Sequence, residues 1–331
     1  MLYIVGLGLG STKDITVRGL ETLKTCDHIY VESYTSAMAD CASGIRELTH
    51  KEVHFADREM VESGTEILNK SSSQNVAFVV IGDPLGATTH TDLILRAVQS
   101  GISYEVIHNA SIMTAVGCCG VQLYNFGATV SIPFWDEFGR PESFYDKIMD
   151  NITRGLHTLC LLDIKVKERS LENILKERMI YEPPRFMTCG QAVNQLLQII
   201  GRKGTGNEPR LTEDCLAIGM ARIGRPDQCV IVSTLREFNR CFEMSDMELN
   251  ETTIGTALGG PLHSLVIPGD LHAMEEEFLA ARYKCVPCCS HFLPRFFLTA
   301  NQEASPDLLD KVKESFLYHK NLIRLLNPCK M

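Results

Sequence analysis

Short apolar runs divide the first 110 residues into segments of strand length. The run from Val76 to Ile81 is apolar at every position, which predicts a central parallel strand that is buried on both faces. Three further runs have the length and composition of strands. They are Leu2–Val5, His28–Glu32 and Tyr104–Ile107.

Helix-like patterns fill the intervals between these runs. Residues 14–23, 58–70 and 89–98 are predicted helices, since their apolar positions recur at about the 3.6-residue period of a helix. In the last of these helices we expect Leu93, Leu95 and Val98 to face the core. The alternation of strand and helix predicts an α/β layer with right-handed crossovers.

The second half of the chain shows a less regular α/β pattern. Its last three predicted strands follow one another with short links, which favours a mixed, partly antiparallel sheet. Helices are predicted from about residue 111, at 141–152 and at 187–200, and strands at 129–132, 158–164, 215–223, 228–235 and 264–267.

A length of 331 residues and a 45% apolar content suit two domains with sizeable cores. We predict an N-terminal α/β domain at 1–115 with a mostly parallel sheet. A second α/β domain with a mixed sheet follows at 116–283, and residues 284–331 form an extension with a helix.

The charge balance narrows the function classes. Lys and Arg number 32 against 41 Asp and Glu, a formal net charge of −9, which argues against a surface that binds nucleic acid directly. No apolar stretch reaches the roughly 20 residues that a membrane-spanning helix needs. The N-terminus MLYIVGLGLG resembles a strand and has no basic segment typical of a signal peptide. We expect a cytoplasmic protein without membrane contact.

Thirteen cysteines form the most unusual part of the composition. An odd count in a long chain without a secretory signal favours reduced, buried thiols. The tightest cluster contains Cys285, Cys288 and Cys289, with His291 close by. A structural zinc site usually needs a second pair of ligands at a suitable spacing, and none follows this cluster. We therefore predict no metal site.

Glycines follow the first predicted strand in the run Gly6-Leu7-Gly8-Leu9-Gly10. A dinucleotide-binding turn would read G-x-G-x-x-G with a helix starting inside it. Here the third glycine comes one residue early, and the predicted helix begins later. The run alone is as compatible with a tight turn as with a nucleotide site.

Two further loops follow strands of the same predicted sheet. Asp83 and Gly86 lie in the loop after Val76–Ile81, and Ser111 and Ile112 close the loop that begins at His108. Ligands of open α/β sheets bind beyond the carboxyl ends of the strands. Three such loops along one edge favour a shared small-molecule site over three unrelated turns.

Seven motifs in order along the chain carry a resemblance. They are GLGLG, IGDPLGATTH, HNASIM, HTLCLLDIKVKE, YEPPRFM, ARIG and PLHSL. Together they resemble the diphthine synthases, a branch of the tetrapyrrole-methylase class of S-adenosylmethionine-dependent methyltransferases. GLGLG is common to the whole class, whereas HNASIM and LLDIKVKE are more specific to this branch. The resemblance covers residues 1 to about 275.

The resemblance implies an activity, a cofactor and partners. It implies methylation of the 3-amino-3-carboxypropyl-histidine of elongation factor 2 to give diphthine methyl ester, a step of diphthamide biosynthesis. S-adenosylmethionine would be the methyl donor, bound in the cleft between two domains of a homodimer. The motifs fit three or four transferred methyl groups, and the long segment at 237–260 and the tail after 284 favour the four-methyl, ester-forming reaction of eukaryotes.

The resemblance also implies site residues. The family's cofactor contacts fall on Leu9, Asp83, Gly86, Ser111, Ile112, Leu162, Ile223 and His263. Without the family, Leu162 and Ile223 are equally compatible with strand core, and His263 with a structural histidine. No catalytic acid or base is assigned, because a carboxylate acceptor is already ionised at neutral pH.

Basic residues after the strand at 158–164 are candidates for orienting a substrate. Lys165, Lys167 and Arg185 could form a rim around an acceptor carboxylate, or they could belong to a solvated charged turn. Two segments depart from the family: 237–260 is longer than expected, and the tail after 284 has no counterpart.

Other functions remain open from the residues. A small-molecule tetrapyrrole methylase of the same fold leaves HNASIM and LLDIKVKE without a role. An NAD-dependent oxidoreductase is disfavoured by the early third glycine. A non-catalytic binding module would use the C-terminal helix but would leave the three strand-end loops unexplained.

Overall fold

The computed structural model describes residues 1–34, 41–136, 139–203, 211–245 and 258–282, and for 241–245 only the backbone. These residues form two compact units. The first contains 1–115, 164–185 and 222–227, and the second contains the rest. The first unit thus includes two segments that the sequence-based division assigns to the second domain. The predicted extension at 284–331 lies outside the described residues.

The first unit contains a parallel sheet, as predicted, with five strands where the sequence indicates four. Its strands are β1 (Leu2–Gly6), β2 (His28–Glu32), β3 (Val53–Ala56), β4 (Val76–Val80) and β5 (Tyr104–Ile107). Their order is β3-β2-β4-β1-β5, and every pairing is parallel. The central strand β4 is buried at all five positions because helices cover both faces of the sheet. All carboxyl ends therefore meet at one edge.

The helices of this unit follow the prediction with three differences. They are α1 (Val17–Thr25), α2 (Cys41–Thr49), α3 (Arg58–Ser63), α4 (Thr65–Ser71), α5 (Thr91–Gln99) and α6 (Ile112–Ala115). The sequence analysis missed α2 and β3, whose segment is rich in charges. Gly64, at φ +61°, divides the predicted helix 58–70 into α3 and α4.

The buried face predicted for helix α5 was right for Leu93 and wrong for Leu95 and Val98. Leu95 and Val98 are 53% and 54% exposed, whereas Leu93 and Ala97 are buried. Leu93 and Ala97 are four residues apart and lie on one helix face, which meets the core of the sheet together with the partly buried Ile94. The apolar face is narrower than the sequence suggests.

The second unit contains the predicted mixed sheet. Its strands are β6 (Val130–Ile132), β7 (Thr158–Leu162), β10 (Leu216–Ala221), β11 (Cys229–Thr234) and β12 (His263–Ile267). In the order β11-β10-β12-β7-β6, three pairings are antiparallel and only β6–β7 is parallel. The helices are α7 (Ser143–Thr153), α9 (Cys189–Lys203), α10 (Leu235–Ser245) and α11 (Ala273–Arg282).

Residues 164–186, between β7 and α9, form a short hairpin-like segment with its own small sheet. Strands β8 (Ile164–Lys165) and β9 (Arg185–Phe186) pair at its base, and helix α8 (Leu171–Leu175) lies between them. This segment carries the basic residues that the sequence analysis singled out.

The cysteines of the described residues are all free thiols. Five of them are buried: Cys26, Cys41, Cys119, Cys160 and Cys189. Burial raises the pKa of the Cys26 thiol to about 11 and that of Cys41 to about 12. These thiols therefore stay protonated and unreactive at neutral pH.

The sequence predicts neither a membrane-spanning helix nor a metal site. No helix in the described part of the chain is long and apolar enough to cross a membrane. Within the same residues no three His, Cys, Asp or Glu side chains are grouped to hold a metal ion. The Cys285 cluster with His291 lies outside them.

Candidate functional site

The loops that follow β1 and β4 are joined directly by their backbones. The amide of Gly82 donates to the carbonyl of Gly8 at 2.8 Å, and the amide of Gly8 donates back at 3.2 Å. Both glycines have positive φ, +82° and +87°, which side chains rarely tolerate. Two of the three predicted loops thus lie side by side at the carboxyl edge of the sheet.

Asn109 fastens the third loop to the first. Its side-chain Nδ2 donates to the carbonyls of Gly6 and Asp14, both at 3.0 Å, while its Oδ1 accepts from the Ala110 amide. Asn109 lies in the HNASIM motif, but no role was predicted for it. The sequence does carry a signal for one: an asparagine just after a strand, at the sheet edge where the loops meet.

Asp83 connects the second loop to the third. Its carboxylate accepts from the amides of Leu85 and Asn109 and from Nδ1 of His108, at 2.9, 3.0 and 2.9 Å. Burial alone would raise the pKa of Asp83, but these hydrogen bonds outweigh it and hold the pKa below its usual range. The predicted site carboxylate is therefore ionised at neutral pH and fixed in orientation.

Gly86 packs against the buried Ser111. A Cβ at position 86 would lie 2.6 Å from Oγ and 2.8 Å from Cβ of Ser111. Gly86 itself is not in the left-handed region, so the requirement for glycine arises from this close approach. Ser111 also accepts from the Met113 amide at the start of α6, one residue after Ile112. The structure therefore brings Asp83, Gly86 and Ser111 together.

Leu9 lies beside the short loop that contains Ile223. A Cβ on Gly224, where φ is +89°, would lie 2.9 Å from Cβ of Leu9. A Cβ on Gly10 would lie 2.2 Å from the Gly224 carbonyl oxygen. The loop 222–227 belongs to the same compact unit as β1. The loop that contains Ile223 therefore packs against Leu9 and Gly10, although the two segments are more than 200 positions apart in the sequence.

The chain after GLGLG differs from a dinucleotide-binding turn. Asp14 accepts from the amides of Gly10 and Ser11 and forms a capping box with Ser11. A single 3₁₀ turn, Thr12–Asp14, follows, and α1 begins only at Val17. The helix N-terminus that would receive a pyrophosphate is therefore displaced, which argues against nicotinamide chemistry.

Leu162 and His263 lie in the second unit at adjoining strand ends. They flank the paired residues Leu161 of β7 and Ser264 of β12. His263 is buried, and its Nδ1 accepts from the Cys189 amide while Nε2 donates to the Gly259 carbonyl at 3.0 Å. Both ring nitrogens thus have structural partners. Contact of these two residues with a cofactor stays a prediction.

The predicted basic rim is already engaged within the protein. Lys167 pairs with Asp57, whose hydrogen bond raises the pKa of the lysine, and Arg185 makes a two-pronged pair with Glu168 at 2.7 and 2.8 Å. Lys165 lies in β8. Because their charges are balanced locally, Lys167 and Arg185 are less suited to hold a carboxylate than the sequence suggests.

Comparison with known proteins agrees with this geometry. The family model for tetrapyrrole (corrin/porphyrin) methylases matches residues 1–193. The chain is 52% identical over 283 residues to the diphthine methyl ester synthase of Bos taurus, covering 85% of this chain and 94% of that one. It is 49% identical over 282 residues to the enzyme of Saccharomyces cerevisiae, covering 84% and 88%.

A solved structure of diphthine synthase superposes with a TM-score of 0.65 at 30% identity, covering 85% of this chain and 94% of that one. The tetrapyrrole-methylase fold is therefore present, with its parallel and mixed sheets. These matches, together with the linked strand-end loops, place the chain in the tetrapyrrole methylase family, and within it among the diphthine methyl ester synthases.

Proposed function

We propose that the protein uses S-adenosylmethionine to methylate the 3-amino-3-carboxypropyl-histidine of elongation factor 2. The product is diphthine methyl ester, with four methyl groups transferred. The observation that carries the proposal is the joined cluster of strand-end loops around Asp83, Gly86 and Ser111. The 52% identity to a diphthine methyl ester synthase supports the choice of this methylation over others of the class.

The residues of the first unit fit the proposed cofactor. Leu9, Ile112 and Ile223 offer apolar contact to an adenine ring, and exposed loop backbone offers hydrogen bonds. S-adenosylmethionine is cationic at its sulfonium and amino groups, and the ionised Asp83 supplies a complementary charge nearby. Gly86 keeps the wall formed by Ser111 free of an additional side chain. Leu162 and His263 are proposed as further cofactor contacts.

The chemistry asks mainly for positioning. S-adenosylmethionine supplies a methyl group on an already activated sulfonium, so transfer to a carboxylate needs no general base. Asp83 is held by three hydrogen bonds and cannot readily rotate to accept a proton from an amine. We therefore assign the proton released in N-methylation to solvent and not to a side chain of the described site.

The proposal includes a cytoplasmic homodimer that acts on a protein substrate. The buried free thiols of the described residues suit a reducing compartment. Lys165, Lys167 and Arg185 are proposed to orient the acceptor together, as parts of one segment. Within it Lys167 and Arg185 are already ion-paired with Asp57 and Glu168. No nucleic acid, membrane or metal enters the proposal.

Titration calorimetry tests the cofactor assignment. S-adenosylmethionine should bind the purified protein, and the nicotinamide dinucleotide should not. Binding of the dinucleotide without binding of the methyl donor would reverse the assignment. With bound methyl donor, transfer to elongation factor 2 carrying the unmethylated precursor then tests the substrate.

A further inference from the structure

The side chain of His90 is completely buried, although the residue lies only four positions after Gly86 of the Asp83–Gly86 loop. Its ring packs edge-on against Phe78 of β4, with ring centroids 5.1 Å apart. Nδ1 lies 3.2 Å from the carbonyl oxygen of Pro84. Because a carbonyl can only accept, Nδ1 must carry the proton. The imidazole therefore donates to the backbone in the middle of the loop.

The other ring nitrogen, Nε2, is compatible with this tautomer. Nε2 has no hydrogen-bond partner among the described residues, and it faces the buried Glu32 at 3.9 Å from Oε1. Burial lowers the pKa of His90, which favours the neutral ring with a single proton. With that proton on Nδ1, the one strong hydrogen bond of the ring goes to Pro84.

The loop depends on such support because its own conformation is strained. Ala87 has φ +61°, a left-handed conformation that residues other than glycine seldom adopt. Strained residues persist only where the surroundings hold them. The Pro84 carbonyl is held from two sides, by Nδ1 of His90 and by the Thr88 hydroxyl at 2.9 Å. Through this carbonyl the two donors restrain Pro84, which lies between Asp83 and Leu85.

We propose that His90 is a positioning residue for the cofactor-binding loop, acting through the Pro84 carbonyl. It touches neither cofactor nor substrate, since its side chain is buried against Phe78. The inference rests on the proposed function, because it assumes that the Asp83–Gly86 loop binds S-adenosylmethionine. Loss of the donor would leave the loop less preorganised and so weaken cofactor binding without removing a contact.

Two substitutions separate the donor from the packing of the ring. His90→Asn loses the ring, but its side-chain amide can place a donor where Nδ1 stood. His90→Leu loses the ring and the donor. Calorimetry with S-adenosylmethionine should show a dissociation constant raised about tenfold or more by His90→Leu and about threefold or less by His90→Asn. Thr88→Val, which removes the second donor, should weaken binding in the same direction.

A second measurement needs no cofactor. Amide hydrogen exchange of residues 85–88 in the cofactor-free protein should accelerate in His90→Leu and stay close to wild type in His90→Asn. Equal dissociation constants and equal exchange rates in the two variants would overturn the inference. If His90→Leu does not fold, unchanged binding and exchange in Thr88→Val would overturn it.

The exchange measurement also separates this inference from the proposed function. A wild-type protein that binds no S-adenosylmethionine would remove the proposed function. In that case slow amide exchange of residues 85–88 in His90→Asn, with fast exchange in His90→Leu, would still support His90 as the residue that holds the loop.

Discussion

His157 and Glu275 are completely buried in the second unit, and Nε2 of the histidine lies 3.1 Å from Oε1 of the glutamate. Nδ1 of His157 accepts from the Gly269 amide, so Nε2 carries the proton and donates. The same carboxylate accepts from the amides of Gln122 and His272, both at 2.7 Å. Glu275 thus links the start of α11 to His157, which directly precedes β7, and to the backbone at Gln122.

We expect Glu275→Gln to lower the free energy of unfolding by about 1–3 kcal/mol, since an amide nitrogen would face one of these donors and leave a buried group unsatisfied. Chemical denaturation measures the change. Glu277→Gln, on the exposed side of the same helix, is the matched control and should change stability by less than about 0.5 kcal/mol. Equal effects of the two would mean that the buried network contributes nothing.

Stability should fall as the pH is lowered through the ordinary histidine range. Burial lowers the pKa of both His90 and His157, so the unfolded chain binds these protons more tightly than the folded one. The contribution is complete above a pH of about 6.5 and is lost as the pH falls toward the lowered values. Unfolding by denaturant at a series of pH values measures the slope.

His90→Asn removes one of the two histidines whose pKa is lowered by burial and should reduce that slope. His50→Asn, at an exposed loop position, should leave the slope unchanged. A slope that is the same in wild type and His90→Asn would contradict the assignment of a buried, neutral imidazole.

Gly86→Ala should destabilise the cofactor-free protein because its Cβ would lie 2.6 Å from Oγ of Ser111. Overpacking of this kind costs about 1–3 kcal/mol. Ser111→Gly removes the atoms that the new methyl meets, so the double variant should recover most of the loss beyond that of Ser111→Gly alone. A thermal melt of all four proteins gives the coupling.

Gly201→Ala is the control for this substitution. Position 201 lies in α9 with no atom within 4 Å of an added Cβ, so alanine there should stabilise by up to about 1 kcal/mol. Additive effects of Gly86→Ala and Ser111→Gly would show that the two positions do not touch.

The parallel sheet was predictable because most of its strands are short apolar runs. The segments between these runs have apolar residues at the period of a helix. Val76–Val80 is the clearest case, and its central place follows from uniform burial. Strand β3 was not, since Val53–Ala56 is short and alternates buried with partly exposed residues within a charged stretch. Leu95 and Val98 show the other limit: helical spacing does not reveal how wide the buried face is.

The site was predictable where function depends on strand ends. Asp83, Gly86 and Ser111 follow strands β4 and β5 of one parallel sheet, whose carboxyl ends must meet. The hydrogen-bond partners of Asn109 and His90 were not predictable, because each depends on the distance between its side chain and a backbone carbonyl. The ion pairs of Lys167 and Arg185 likewise depend on tertiary contacts that spacing does not encode.

The most direct test of the account is the mass of the target peptide from elongation factor 2. The unmethylated precursor is incubated with the purified full-length protein and S-adenosylmethionine, and the peptide is analysed by mass spectrometry. We expect a gain of four methyl increments, one of which is removed by mild alkaline hydrolysis of the ester. A peptide of unchanged mass, under conditions in which calorimetry shows the methyl donor bound, would contradict the proposed function.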